Sequence, residues 1–333
     1  MLKKLPISYK VISILLKVLI ILLASGYIFS RISRQDYIDF GILLNEFGSS
    51  SFKIGLLLAV FGLMWLNWLL EARKWQMLIR EVETMSLSRS LQAVFCGVTF
   101  AIFTPNRVGE FGGRVFLLEK GDRIKGALAS FTGSIAQLII TITLGSIGLI
   151  IYLQRDKRLA EELTWPVFGV LAALIVSLNV LLVLFYLNSR LFIKLLWKTW
   201  LFAKIKRYLL VFRSYTQLFL SRITLLSLAR YIIFILQFYL LLLLADVSIP
   251  LQQALYLIAL MYLVTTVVPS YAISEVTTRS SVSVLLLGEV AGKPLHITAA
   301  YFLLWVINLA IPALIGSLFV LNIHFFRNRE VNE

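Results

Sequence analysis

The chain is nearly devoid of thiol, poor in histidine and short of acid. Its one cysteine, Cys96, excludes an internal disulfide and any cysteine-based zinc site. The two histidines, His296 and His324, stand at either end of the last apolar run, and neither has a neighbour suited to acid–base work, so both read as interfacial side chains. Asp and Glu together number 17 against 32 Lys and Arg. No P-loop, H-E-x-x-H, Asp-rich metal motif or nucleophile elbow occurs, so neither a metal nor a cofactor nor an enzyme activity is expected. The resulting charge of +15 is spread over short segments between apolar runs. No charged soluble module gathers it, which argues against nucleic acid as a partner and for an anionic lipid surface.

What the chain has in abundance is apolar sequence. With 333 residues, 59% of them hydrophobic, and a mean hydropathy of +0.89, a soluble globular domain is excluded. Runs long enough for a full span of ~20 residues cover 10–30, 52–71, 126–153, 165–187, 223–245 and 296–322. The first follows Lys3, Lys4 and Lys10, is long for a signal peptide and carries Lys17, so a retained signal-anchor helix is expected. Residues 90–119 are instead two short apolar pieces joined at Thr104–Arg107, and residues 251–288 repeat that plan around Pro269–Glu275. The first pair's arms are too short to cross and suit a re-entrant helical hairpin, which a bilayer tolerates only where it is buried in protein or lines a wet cavity. The second pair's arms are longer, and two full spans stand there as the alternative to a hairpin. The expected fold is an all-α polytopic membrane protein with about six full spans and two hairpins.

Basic residues orient it. With the N-terminus in the cytoplasm, cytoplasmic segments hold 20 Lys and Arg and the opposite side seven. Both termini are then cytoplasmic, in a cell membrane. Residues 1–153 and 154–333 form two halves, each running span, span, hairpin, span, so the second is inverted relative to the first. Residues 190–222 add eight basic residues and no acidic ones, interleaved with Trp197, Trp200, Phe202 and Phe212. They read as an amphipathic helix on the cytoplasmic leaflet.

The hairpin tips carry the chemistry. Pro105, Glu110 and Arg114 match Pro269, Glu275 and Arg279 about 165 positions later. A proline ends the incoming helix, and the next helix presents unpaired N–H groups, a ready anion site. Arg107 and Arg114 add guanidiniums suited to bidentate phosphate contact, and Thr104 and Gly109 lie in the same tip. Glu110 is placed to orient an arginine or exchange a proton. At the second tip, Ser274 adds a hydroxyl, and Glu275 and Arg279 stand four apart, within reach of an ion pair. Asn67 and Gln237 read as interhelical hydrogen-bonding residues. Lys17 and Arg230 read as snorkelling toward the cytoplasmic interface.

These residues also carry a family likeness. Ala72-Arg-Lys-Trp75, Thr104-Pro-Asn-Arg-Val-Gly-Glu110, Arg230-Tyr-Ile-Ile-Phe-Ile-Leu-Gln-Phe238, and Val268-Pro-Ser270 with Glu275 and Arg279 resemble the lysylphosphatidylglycerol synthase transmembrane-region family. That family includes the flippase half of the multiple peptide resistance factor. The resemblance implies a flippase-like membrane unit rather than the soluble aminoacyl-transferase of the fused factors. The second tip, Pro269-Ser-Tyr-Ala-Ile-Ser-Glu275, departs from the glycine-rich tip of members nearer the resistance factor. A polyprenyl-phosphate-linked sugar, a phospholipid or another anionic lipid therefore stands beside the aminoacylated lipid as substrate. The expected function is movement of a phosphate-bearing lipid headgroup across the membrane. Rival readings are a membrane subunit serving a glycosyltransferase or other lipid-modifying partner, and a membrane-embedded transferase or phosphatase. A homo-oligomer is also compatible.

Overall fold

The computed structural model describes residues 50–104, 107–155, 164–188, 214–267 and 272–321, with Leu15, Val18, Leu19, Leu22 and Gly26 as isolated helical positions. The expected first span and most of the basic segment 190–222 lie outside the described residues. So do Pro105 and Pro269.

Every described element is helical. α1 spans Ser51–Ile79, α2 Leu87–Ala101, α3 Gly109–Val115, α4 Arg123–Arg155, α5 Trp165–Leu187 and α6 Gln217–Leu244. α7 spans Leu251–Val267, α8 Ala272–Ala291, α9 Pro294–Trp305 and α10 Ile311–Val320, the last two joined by a π turn at Val306–Ala310. Side-chain caps start several of them: Ser50 accepts from the Phe52 N–H, Ser86 from Arg89, Asp122 from Ile124 and Thr216 from Phe219. Five helical stretches (α1, α4, α5, α6 and α9–α10) are long and apolar enough to cross a membrane. The protein is a multi-pass membrane protein.

One boundary differs from expectation. α1 does not stop at residue 71 but runs to Ile79, because Ala72 to Met77 are good helix formers without Gly or Pro. Lys74, counted above with a cytoplasmic connecting segment, is instead fully packed inside the bundle.

Both short-helix pairs return to where they began. Before α2, Glu83 accepts the backbone N–H groups of Glu119, Lys120 and Gly121 beyond α3, at 3.2, 2.8 and 2.8 Å. Arg89, at the start of α2, donates to the Leu117 carbonyl at 2.7 Å and pairs with Glu119 at 2.9 Å. Burial works against the Glu83 carboxylate. The N–H groups of Gly121, Lys120 and Glu119, with Arg89, outweigh it and hold the carboxyl below the usual range. At the other end of the bundle, Asp246 follows α6. Its carbonyl accepts from Lys293, between α8 and α9, and its carboxylate pairs with Lys53 at the start of α1, both at 2.7 Å.

Packing between helices comes in matched pairs. α4 lies against α7 where a Cβ on Gly145 would meet the Ala259 carbonyl and the Leu263 side chain. α10 lies against α2 where a Cβ on Gly316 would collide with the Phe95 carbonyl and Thr99. Thr99 Oγ1 also donates to the Ala313 carbonyl at 2.8 Å. In the centre, α1 and α6 run antiparallel: Arg230 Nε donates to Asn67 Oδ1 at 2.8 Å, and Gln237 Nε2 to the Val60 carbonyl at 3.0 Å. Each contact has its counterpart about 170 residues along the chain. Small residues let backbones approach closely where lipid offers no hydrophobic drive. The hydrogen-bonding role expected of Asn67 and Gln237 is the one they have.

Candidate functional site

Glu71 is the sole acidic residue of α1 and the hub of the site. Its side chain is 5% exposed. One carboxylate oxygen pairs with Arg114 at 2.7 Å; the other takes Lys74 at 2.7 Å and Arg230. Arg114 is shared with Glu110 one helical turn earlier and lies over the Trp75 ring, 5.8 Å from its centroid. Arg230 lies between the rings of Trp68 and Phe234, at 5.8 and 5.7 Å. Lys74 also donates to the Gly133 carbonyl at 3.3 Å, so one cluster ties α1, α3, α4 and α6 together. Arg230 therefore does not snorkel: its guanidinium is spent inside the bundle, where Asn67 and Glu71 supply acceptors that the interface would otherwise provide.

The cluster edges a cavity of about 390 Å³. Arg107 and Glu110 reach it from the first tip, Thr265, Thr266 and Arg279 from the helices flanking the second, and Gln137 and Asn308 from α4 and the π turn. Residues expected at two separate tips thus line one space. Arg107 makes the turn into α3 with φ 57°, a left-handed conformation uncommon outside glycine. Thr104 Oγ1 accepts the Gly109 N–H at 2.7 Å, and a Cβ on Gly109 would strike the Phe100 carbonyl. The N–H group expected to bind an anion is thus already taken, and side chains carry the positive charge of this tip. Ser274 and Glu275 lie on α8, with side chains outside the described residues. The described charged side chains that line the cavity are Lys74, Arg107, Arg230 and Arg279 with Glu71 and Glu110, and Arg114 stands behind them on Glu71 and Glu110. Adding Glu275 would still leave cations in excess.

Sequence reasoning missed Glu71 and Lys74 because the span was ended at residue 71. An acid followed by a lysine three residues later, at the end of a purely apolar run, was the available signal.

A family model described as "Lysylphosphatidylglycerol synthase TM region" matches residues 14–316. The chain belongs to this family. No curated protein and no solved structure matches it. Within the lysylphosphatidylglycerol synthase transmembrane-region family, the matched stretch takes in both tips, Glu71 and Arg230, so the whole cavity falls inside the shared region.

Proposed function

We propose that the protein is a lipid transporter that moves an anionic, phosphate-bearing headgroup across the cytoplasmic membrane. The observation that carries this reading is the cation-rich cavity shared by both halves, within apolar helices where ionisable groups are costly. A phosphate suits a cavity lined by four cations and two carboxylates; an aminoacyl ammonium or a choline does not. The tied ends of α2–α3 and of α7–α8, at opposite ends of the bundle, support two hairpins re-entering from opposite sides. The paired helix contacts support an inverted repeat, the plan of alternating-access transporters. Six spans result when residues 10–30 are added, with both termini cytoplasmic. Glu71 and Glu110 are engaged by cations, which favours binding and release over general-base catalysis.

A sidedness assay in proteoliposomes tests the proposal. Fluorescent phosphatidylglycerol, a zwitterionic lipid and a short polyprenyl phosphate are compared for wild type and Arg107→Ala. Selective movement of an anionic lipid, lost in the variant, is expected. Absence of movement of every lipid by folded protein refutes transport and leaves the partner-subunit reading in front.

A further inference from the structure

The cavity holds more than a phosphate needs. Its volume is in the range that accommodates a whole small ligand, and apart from the ions already described its lining is uncharged. Four polar atoms on residues that line it are buried without a protein partner: Gln137 Oε1, Asn308 Oδ1 and the indole Nε1 of Trp68 and Trp305. Two accept and two donate. An acyl chain in this space would leave each unpaired, with nothing to offset its lost hydration. Tyr262 and Tyr301 add aromatic surface beside them.

The local backbone points the same way. Pro312 has no N–H to give the Asn308 carbonyl four residues back, and its ring crowds that carbonyl. The helix relaxes into the π turn Val306–Ala310, where the Ile311 N–H bonds to Val306. Such turns cost helix regularity and recur at functional sites. Here the turn contains Asn308 and begins just after Trp305, both on the cavity. Gln137 and Asn308 also occupy equivalent places in α4 and α9–α10, so each half contributes one amide.

We propose that the cavity has a second subsite, for a neutral sugar ring carried on the phosphate. The inference rests on the transport reading above and narrows its substrate to a glycosyl phosphate lipid. Sugar hydroxyls both donate and accept, which matches two amide oxygens and two indole N–H groups. The C–H face of a pyranose packs on aromatic rings, and its neutrality adds no repulsion to the cation-rich side.

The test uses the full chain in lipid nanodiscs and four probes: a short prenyl phosphate, the same prenyl phosphate bearing a hexose, phosphatidylglycerol and phosphatidylcholine. The hexose-bearing probe is expected to bind about tenfold more tightly than the bare prenyl phosphate. Gln137→Leu combined with Trp305→Phe keeps bulk and ring but removes an acceptor and a donor. It should bring the two prenyl phosphates within about twofold of each other. Equal binding of both by wild type, equal binding of phosphatidylglycerol and the hexose probe, or a preference that survives the double variant, overturns the sugar subsite. Arg107→Gln separates the two ideas: it should weaken both prenyl phosphates alike. Undiminished binding of both in that variant overturns the phosphate reading on which the subsite depends.

Discussion

Replacing Glu71 by glutamine is the most searching perturbation of this fold. The substitution keeps shape and volume but deletes the one carboxylate shared by Arg114, Lys74 and Arg230. At an effective dielectric of about 20, each opposite-charge contact near 4 Å is worth roughly 4 kcal/mol before desolvation. Three such contacts are partly cancelled by repulsion among the cations. Removal of one partner from a buried ionic cluster costs about 3–5 kcal/mol in practice, because the remaining charges lose their neutraliser. Glu110 still holds Arg114, so the loss falls chiefly on Lys74 and Arg230. Unfolding in mixed detergent micelles should show Glu71→Gln destabilised by about 3–5 kcal/mol. Adding Arg230→Gln should restore part of that loss, giving a coupling of at least about 1–2 kcal/mol in the double-mutant cycle. A single variant within about 0.5 kcal/mol of wild type, or strict additivity with Arg230→Gln, refutes the hub assignment.

Three further outcomes are expected. Arg279→Ala should reduce lipid movement at least tenfold in proteoliposomes, with monodisperse elution unchanged, since Arg279 lines the cavity at the second tip (roughly 1.4 kcal/mol of lost binding). The Glu83 clamp should make stability depend on pH: its folded carboxyl titrates below the unfolded one, so its contribution is full above the unfolded value and fades as pH falls through the folded one. Comparison of thermal unfolding for wild type and Glu83→Gln should show a gap near neutrality that closes in acid, and a constant gap would refute it. Gly316→Leu should cost about 1–3 kcal/mol or more through collision with the Phe95 carbonyl, while Gly112→Ala, where a Cβ meets nothing within 4 Å, should be well tolerated.

The sequence carries a good deal of this architecture, for physical reasons that can be named. Apolar runs reveal spans because backbone polar groups in lipid must be satisfied within each helix. Pro105 and Pro269, inside apolar stretches, announce the interruptions between α2 and α3 and between α7 and α8. The partners of Glu71 were not legible. Arg114 lies 43 residues away on α3 and Arg230 159 away on α6, and only the packing of both helices about α1 brings them to it. A hydropathy window also ends a span at its first charges, and so conceals that α1 continues and buries Lys74. The π turn was foreshadowed by Pro312 inside an apolar run, but its place on the cavity depends on tertiary packing.

The frame repeats, but the charge does not. The two cross-contacts of α1 with α6, at Val60 and Asn67, straddle Met64. Glu71 lies seven residues beyond that point, roughly 10 Å along the helix toward the loops that hold Glu83 and Arg89. Its counterpart in α6 falls among leucines, and nothing in Leu240–Leu244 offers a second hub. A repeat that served only to fold would have no reason to concentrate its ions in one half. On the proposed orientation, with the basic loops in the cytoplasm, the cation cluster would sit in the inner half of the membrane, where a headgroup made in the cytoplasm would arrive. Arg279, from the hairpin tied at the opposite end, meets the same cavity. On the proposed transport reading, the alternate state would need a hand-over of phosphate from the Lys74–Arg230 side to the side of Arg279, and the close glycine contacts of α4 with α7 and of α2 with α10 would be the surfaces to slide.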